Sequence, residues 1–286
     1  MRQLAALYAA ATVAVPLLAQ NKPTAREIIQ RIQKNVGVPW TTPTVDTFKA
    51  GNPDEPVTGI AVTMMATLDV LERAAASGNN FVITHEPTFY NHLDQTAQLE
   101  KQHDAVLAEK QKFIRDHHLV IWRFHDHWHA RKPDGILLGM THALGWEKYQ
   151  NPEHQFLFTL PETTLEQLAE QVKRKLDVRA LRVVGDPNMK LTKVGFLPGA
   201  AGSERQIQAL ERPDVEALLI GESPEWETVE YVADASTEHR HKGLVIIGHV
   251  KSEQAGMEEC TRWLKTFVTD VPVTFVPTPE PFWLPH

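Results

Sequence analysis

The same plan is written twice along this chain, and that repetition limits the folds open to it. Thr24-Ala25-Arg26-Glu27 has the T-x-x-E form of a capping box, in which threonine and glutamate satisfy amides left unpaired at a helix start. Ile28, Ile29, Ile32 and Val36 then mark one apolar helical face. Thr163-Thr164-Leu165-Glu166 repeats the box, and Leu165, Leu168, Ala169, Val172 and Leu176 repeat the face. In the first half there follow a strand over 57–62, a helix over 68–76 that stops at Gly78, and a strand over 80–84. The second half offers a strand over 194–197, a helix over 204–210 and a strand over 217–220. Each half then supplies one more apolar strand, 119–124 and 244–247. Alternating strands and helices predict an α/β fold with a mostly parallel sheet and flanking helices in each half. The repetition predicts two similar lobes from an internal duplication, 20–150 and 151–286, divided where Tyr149-Gln150-Asn151-Pro152 interrupts the pattern.

Three of these strands run straight into histidine and carboxylate. The first precedes His85-Glu86-Pro87, the second His125-Asp126-His127-Trp128-His129, and the third Gly248-His249, with Glu253 four residues on. Imidazole and carboxylate are the donors that borderline and hard divalent metals take. In open α/β sheets, ligands gather at the carboxyl ends of strands. The shared layout therefore predicts one metal centre. Pro87 biases Glu86 toward extended backbone, which sends the adjacent His85 and Glu86 side chains to opposite sides and suits two neighbouring ions better than one. A mixed N/O donor set around two ions is the arrangement of two-metal hydrolytic sites.

In extended backbone His125, His127 and His129 share a face, and one of them would orient a ligand from behind through its far ring nitrogen. Ser252 reads as an N-cap that places Glu253 in the first turn of a helix, where the dipole favours an ionised carboxylate. His117-His118 read as a helix end or surface. Gly199-Ala200-Ala201-Gly202-Ser203 reads as a tight turn, or as a cradle of amides for an anion. There is no P-loop, Gly-x-Ser-x-Gly elbow or Gly-x-Gly-x-x-Gly fingerprint, which argues against NTPase, serine-nucleophile and dinucleotide chemistry.

A formal charge of −7 with 42% hydrophobic residues is that of a soluble globular protein and offers nothing to a nucleic-acid backbone. Met1-Arg2 followed by an uncharged, mostly apolar run from Leu4 to Ala19 predicts a signal peptide over residues 1–19. That predicts a periplasmic or secreted protein, with no membrane attachment once the signal is removed. Cys260 is the only cysteine, so no intrachain disulfide can form, and its apolar helical setting predicts a packed thiol.

The stretch from Val57-Thr58-Gly59-Ile60-Ala61-Val62 through Leu71-Glu72-Arg73-Ala74 to Ile83-Thr84-His85-Glu86-Pro87 resembles the first signature of the Nif-three-like dinuclear-metal family. Its members are often labelled GTP cyclohydrolase I type 2 homologues. Pro198-Gly199-Ala200-Ala201-Gly202, Ile220-Gly221-Glu222 and Gly248-His249-Val250-Lys251-Ser252-Glu253 resemble its later signatures, in the same order. The resemblance implies two α/β lobes, a ring-shaped homohexamer and a centre of two divalent ions per subunit, zinc, iron or manganese. His249 and Glu253 match the family pattern directly. Glu86 stands where the pattern has a second histidine, and His129 where it has an aspartate. His85, Glu86, His129, His249 and Glu253 still total three imidazoles and two carboxylates; the alternative takes Asp126 as ligand with His129 outside the set. The resulting expectation is an exported, metal-dependent hydrolase-like enzyme acting on a small molecule, with His125 or His127 as orienting group or proton shuttle. Nucleotides are scarce outside the cytoplasm, which argues against GTP as that molecule. The rival expectation is a non-catalytic metal-binding or scaffold ring.

Overall fold

A computed structural model describes residues 22–285; the signal peptide expected over 1–19 lies outside them. Helix α1 (Ala25–Asn35) begins at the predicted box, Thr24 Oγ1 accepting from the Glu27 amide and the Glu27 carboxylate from the Thr24 amide. The chain continues through β1 (Phe48–Ala50), β2 (Ile60–Thr63), α2 (Leu68–Ala76) and β3 (Phe81–Thr84). Helices α3 (Ala97–Lys101) and α4 (Ala105–Asp116) lead to β4 (Val120–Arg123), α5 (Asp126–Ala130) and α6 (Gly135–Leu144). The second half runs through β5 (Leu157–Thr164), α7 (Leu165–Leu176), β6 (Arg182–Val184), β7 (Lys190–Leu197) and α8 (Ser203–Glu211). It ends with β8 (Ala217–Ile220), α9 (Glu230–Thr237), β9 (Gly243–Ile246), α10 (His249–Leu264) and β10 (Val273–Phe275). The second capping box is displaced by one residue from the expected one. Thr164, the last residue of β5, caps α7, and its partner is Gln167.

One sheet has the order β1-β4-β3-β2-β10 and the other, traced from its far edge, β6-β9-β8-β7-β5. The first four strands correspond one to one. In each sheet three parallel strands are flanked by a short antiparallel strand, β1 on β4 and β6 on β9. Only the fifth position differs, where β10 runs parallel to β2 and β5 antiparallel to β7. The first sheet thus draws an edge strand from beyond residue 150, because the chain crosses back after α10 to pair with β2.

Strand residues alternate between two environments, as a period of two dictates. Ile60, Val62, Phe81, Ile83 and Trp122 enter a large core shared by both lobes, which also takes Phe196, Leu219, Val245 and residues of α1, α6, α7 and α10. Ala61, Val82 and Ile121 face α2 and α4 on one outer side, while Leu218, Leu244 and Ile246 face α8 and α9 on the other. Because the helices sit on both faces, every residue of β2, β3, β4, β8 and β9 is buried. Cys260 is packed in the shared core, where burial pushes its thiol pKa up. Among the described residues no helix is long and apolar enough to cross a membrane.

Candidate metal centre

The ends of β3 and β4 and the start of α10 meet between the lobes. His85 and Glu86 follow β3, His125 and the short α5 follow β4, and His249 is the first residue of α10. Ligand-capable atoms of His85, His125 and His129 lie within 4.8 Å of one another, as do those of His85, Glu86 and Glu253. His249 closes the group, its Nε2 lying 3.2 Å from Glu253 Oε2 and 3.4 Å from Glu86 Oε1.

Each imidazole is held from behind. His85 Nδ1 lies 3.0 Å from the Phe124 carbonyl, His125 Nδ1 2.9 Å from Asp126 Oδ1, and His129 Nδ1 2.9 Å from Asp134 Oδ2. Each of these partners accepts the Nδ1 proton and leaves an Nε2 lone pair facing the cluster, the arrangement that fixes metal-binding histidines. Asp126 is therefore directed at His125 rather than into the cluster, and Thr44 Oγ1 and the Val45 amide hold its second oxygen. Arg123, buried at the end of β4, donates to the His85 and His92 carbonyls and to Glu86 Oε2 at 3.2 Å. Nothing in the motifs named Arg123 or Asp134. The available signals were a cation closing an otherwise apolar strand and an aspartate just before a helical run.

His85 Nε2, His249 Nε2 and Glu253 Oε2 are buried without hydrogen-bond partners. Orphaned buried polar atoms are costly and uncommon. Three of them converging, two imidazole nitrogens and one carboxylate oxygen, fit a divalent cation by number and by chemistry. Electrostatics agree. Burial, and then His125 and His129, hold the His85 pKa well below its ordinary value, so that ring is neutral and ready to bind. Burial also opposes charge on His249, but Glu222, Glu253 and Glu86 outweigh it and push that pKa up to about 12. Without a metal, then, the proton on His249 answers the excess of carboxylate.

His127 does not join the cluster. Because α5 is helical rather than extended, His125 and His129 share one face, four residues apart, and His127 turns away from it. It is buried with its ring 3.6 Å from that of Trp40, Nδ1 donating to Asp46 Oδ2 at 2.7 Å and Nε2 accepting from the Thr41 amide at 2.9 Å. Ser252 is not a cap either. Helix α10 starts at His249 after Gly248, and the Ser252 hydroxyl donates to the His249 carbonyl while accepting from the Gly199 amide. His117 closes α4 at the surface, as expected.

A cavity of about 510 Å³ opens onto the cluster, with Glu86, His125, His129, His249 and Glu253 on its wall. Phe156, Phe196 and Leu197 also line it, and Arg205 borders it. A slightly larger cavity of about 590 Å³ beside Lys49, Asp94 and Arg115 contains none of the predicted donors, so the chemistry belongs to the former.

Known proteins share this architecture. A GTP cyclohydrolase 1 type 2 homolog of Chlamydia muridarum is 20% identical over 242 residues, spanning 82% of this chain and 90% of its own. The homolog of that name in Clostridium acetobutylicum is 23% identical over 214 residues, spanning 71% and 75%. The crystal structure of a Bacillus cereus protein related to NIF3 superposes with a TM-score of 0.72 at 17% identity, covering 93% of this chain and all of the other. A Staphylococcus aureus hypothetical protein gives a TM-score of 0.70 at 15% identity over 92% of this chain and 99% of that one. These structural likenesses establish the two-lobed fold. Together with a family profile matching residues 25–281, they close the question of kinship: the chain belongs to the Duf34/NIF3 (NGG1p interacting factor 3) family.

Proposed function

We propose that this protein is an exported, metal-dependent hydrolase acting on a small molecule at a centre of two divalent ions. The observation that carries the reading is the set of orphaned donor atoms beside an open cavity, which His249 and Glu253 line. A purely structural site closes its coordination with protein atoms, whereas a catalytic one leaves a position free. His85, His125, His129 and His249 would hold the ions through imidazole nitrogen, with Glu86 and Glu253 as the carboxylate donors. Zinc, iron and manganese all suit these donors. When bound, such a pair supplies Lewis acidity, making a water nucleophilic near neutral pH and polarising the substrate.

The chain's own residues do the rest. Arg123 and the carbonyl and carboxylate partners at each Nδ1 keep the donors in place. Phe156, Phe196 and Leu197 exclude bulk water, and Arg205 offers a cation to an acidic substrate group. His127, enclosed by Trp40, Thr41 and Asp46, has no part in proton transfer in this reading. Export rests on the signal-like residues 1–19, and assembly into a six-membered ring rests on the family resemblance.

Elemental analysis of the purified mature protein tests the centre. Wild type is expected to carry about two divalent ions per chain, and His249→Ala and Glu253→Ala to lose at least half of that. A metal-free wild type from metal-replete growth would overturn the reading. Activity against phosphoesters and cyclic amides, lost on chelation and restored by metal, would separate an enzyme from a scaffold ring.

A further inference from the structure

Asp46 lies outside every sequence motif and about 80 residues upstream of the histidines it touches. Its side chain is fully buried. Oδ1 accepts from the His125 and Asp126 amides at 2.6 and 2.9 Å, and Oδ2 from the His127 amide and His127 Nδ1 at 2.9 and 2.7 Å. Four donors from one helix start thus converge on one carboxylate.

We propose that Asp46 is a positioning residue for the imidazole half of the centre, deciding which two of His125, His127 and His129 face the cavity. The proposal rests on the reading of the cluster as a metal site. Helix α5 has only five residues, too few to hold its shape unaided, and no side chain within it caps its start. In the extended alternative, His127 would point the same way as His125 and His129. By binding three successive amides and the His127 ring, Asp46 selects the helical form and keeps His127 out of the cluster. The buried carboxylate in turn depends on those donors, since without them its desolvation would go uncompensated. Neighbouring residues reinforce the clasp: Trp40 stacks on His127, Thr41 donates to its Nε2, and Thr44 and Val45 hold Asp126 behind His125.

Cobalt(II) titration of metal-stripped full-length protein, followed by visible absorption, tests this. Asp46→Asn preserves volume but turns an amide donor toward backbone N–H groups. It is expected to weaken cobalt binding about 10–100-fold, the usual effect of removing support behind a ligand. It should also change the absorption band at saturating cobalt, because the donor set itself is altered. An aspartate that merely stabilised the fold would lower the melting temperature and leave the saturated spectrum as in wild type, which would overturn the proposal. Thr44→Val removes a hydroxyl that donates to Asp126 Oδ2 and accepts from the Asp46 amide, and it should weaken binding less, in the same direction. Should Asp46→Asn fail to fold, unchanged affinity and spectrum in Thr44→Val would overturn the proposal by themselves. A wild type that binds no cobalt would sink the metal reading and the proposal together. Binding in wild type with no change in either variant would sink the positioning role alone.

Discussion

The two lobes share a strand order and finish their strands differently. In the first, β3 and β4 end in His85-Glu86 and His125, side chains that reach the centre directly. In the second, β7, β8 and β9 lead to Gly199, Gly221 and Gly248, the first after Pro198 and the last after Ile247. The second lobe's donors come instead from the first two turns of α10, whose side chains press against Gly199 and Gly221. A Cβ built on Gly199 would lie 2.2 Å from Glu253 Oε1, and one on Gly221 would lie 2.6 Å from Ser252 Oγ. One copy of the repeated plan has histidine and carboxylate at its strand ends, and the other has clearance there. A duplicated fold can therefore build an asymmetric site without changing its topology: one lobe presents donors and the other lets a helix bring them in close.

Adding a methyl group where the second lobe needs space would break this contrast most severely. Gly199 has φ +63 and its missing Cβ is occupied by the Glu253 carboxylate, so Gly199→Ala forces both backbone and ligand to move. The left-handed backbone costs about 1–2 kcal/mol, and overpacking adds about 1–3 kcal/mol. The variant should lose metal by elemental analysis as well as stability by chemical denaturation. Gly202→Ala is the control, since φ is +84 but nothing lies within 4 Å of the added Cβ. It should cost about 1–3 kcal/mol, because φ +84 with ψ 143 is backbone nearly confined to glycine, and leave metal content unchanged. Equal metal loss in the two variants would remove the argument from clearance.

Protons sharpen the contrast next. In the metal-free protein the first lobe's His85 is already neutral, whereas the second lobe's His249 has a pKa pushed up to about 12 from its ordinary 6.5. A raised pKa means that the protonated form stabilises the fold fully below pH 6.5 and fades as pH rises toward 12. Metal needs the neutral ring, so binding must release that proton and metal affinity should climb with pH, by about tenfold per unit. Calorimetry in buffers of different ionisation enthalpy should register the release, and His249→Ala should lose it. Asp126 in the first lobe gives the opposite sign. Burial raises its pKa, but His125, Val45 and Thr44 outweigh that and bring it down to about 2 from an ordinary 3.8. Its contribution is present above pH 3.8 and lost as pH falls through 2.

Much of this was legible in the residues because local signals and tertiary demands agreed. Apolar strands ending in histidine or glycine sit at the carboxyl edges of both sheets, and α2 spans Leu68–Ala76 as its periodicity indicates. Sequence reading failed where a distant residue decides a local conformation. His125 to His129 carry no signal choosing helix over strand; the choice is made by Asp46, far upstream. Ser252 looked like a cap because serine favours caps, but its hydroxyl is engaged by the Gly199 amide, and Gly248 starts the helix. His85 and Glu86 were legible because they directly follow a strand, whereas His129 and Glu253 reach the cluster only through the helices that carry them.

The smallest expected effect asks whether the two lobes remain equivalent where the site makes no demand. Both capping boxes lie away from the centre, with Thr24 paired to Glu27 and Thr164 to Gln167. In each, the threonine hydroxyl accepts an amide at 3.2 Å and the partner side chain accepts the cap amide in return. Thr24→Ala and Thr164→Ala should each cost about 1 kcal/mol. Glu27 adds a negative charge near a helix start that Gln167 lacks, worth a few tenths of a kilocalorie at low salt. Denaturant titrations at low and high salt should therefore show near-equal losses, with only the Thr24 variant changing with ionic strength. A markedly larger loss in one lobe would mean that the duplicated helices no longer carry equal shares of the shared core, and that the divergence at the strand ends extends into the scaffold itself.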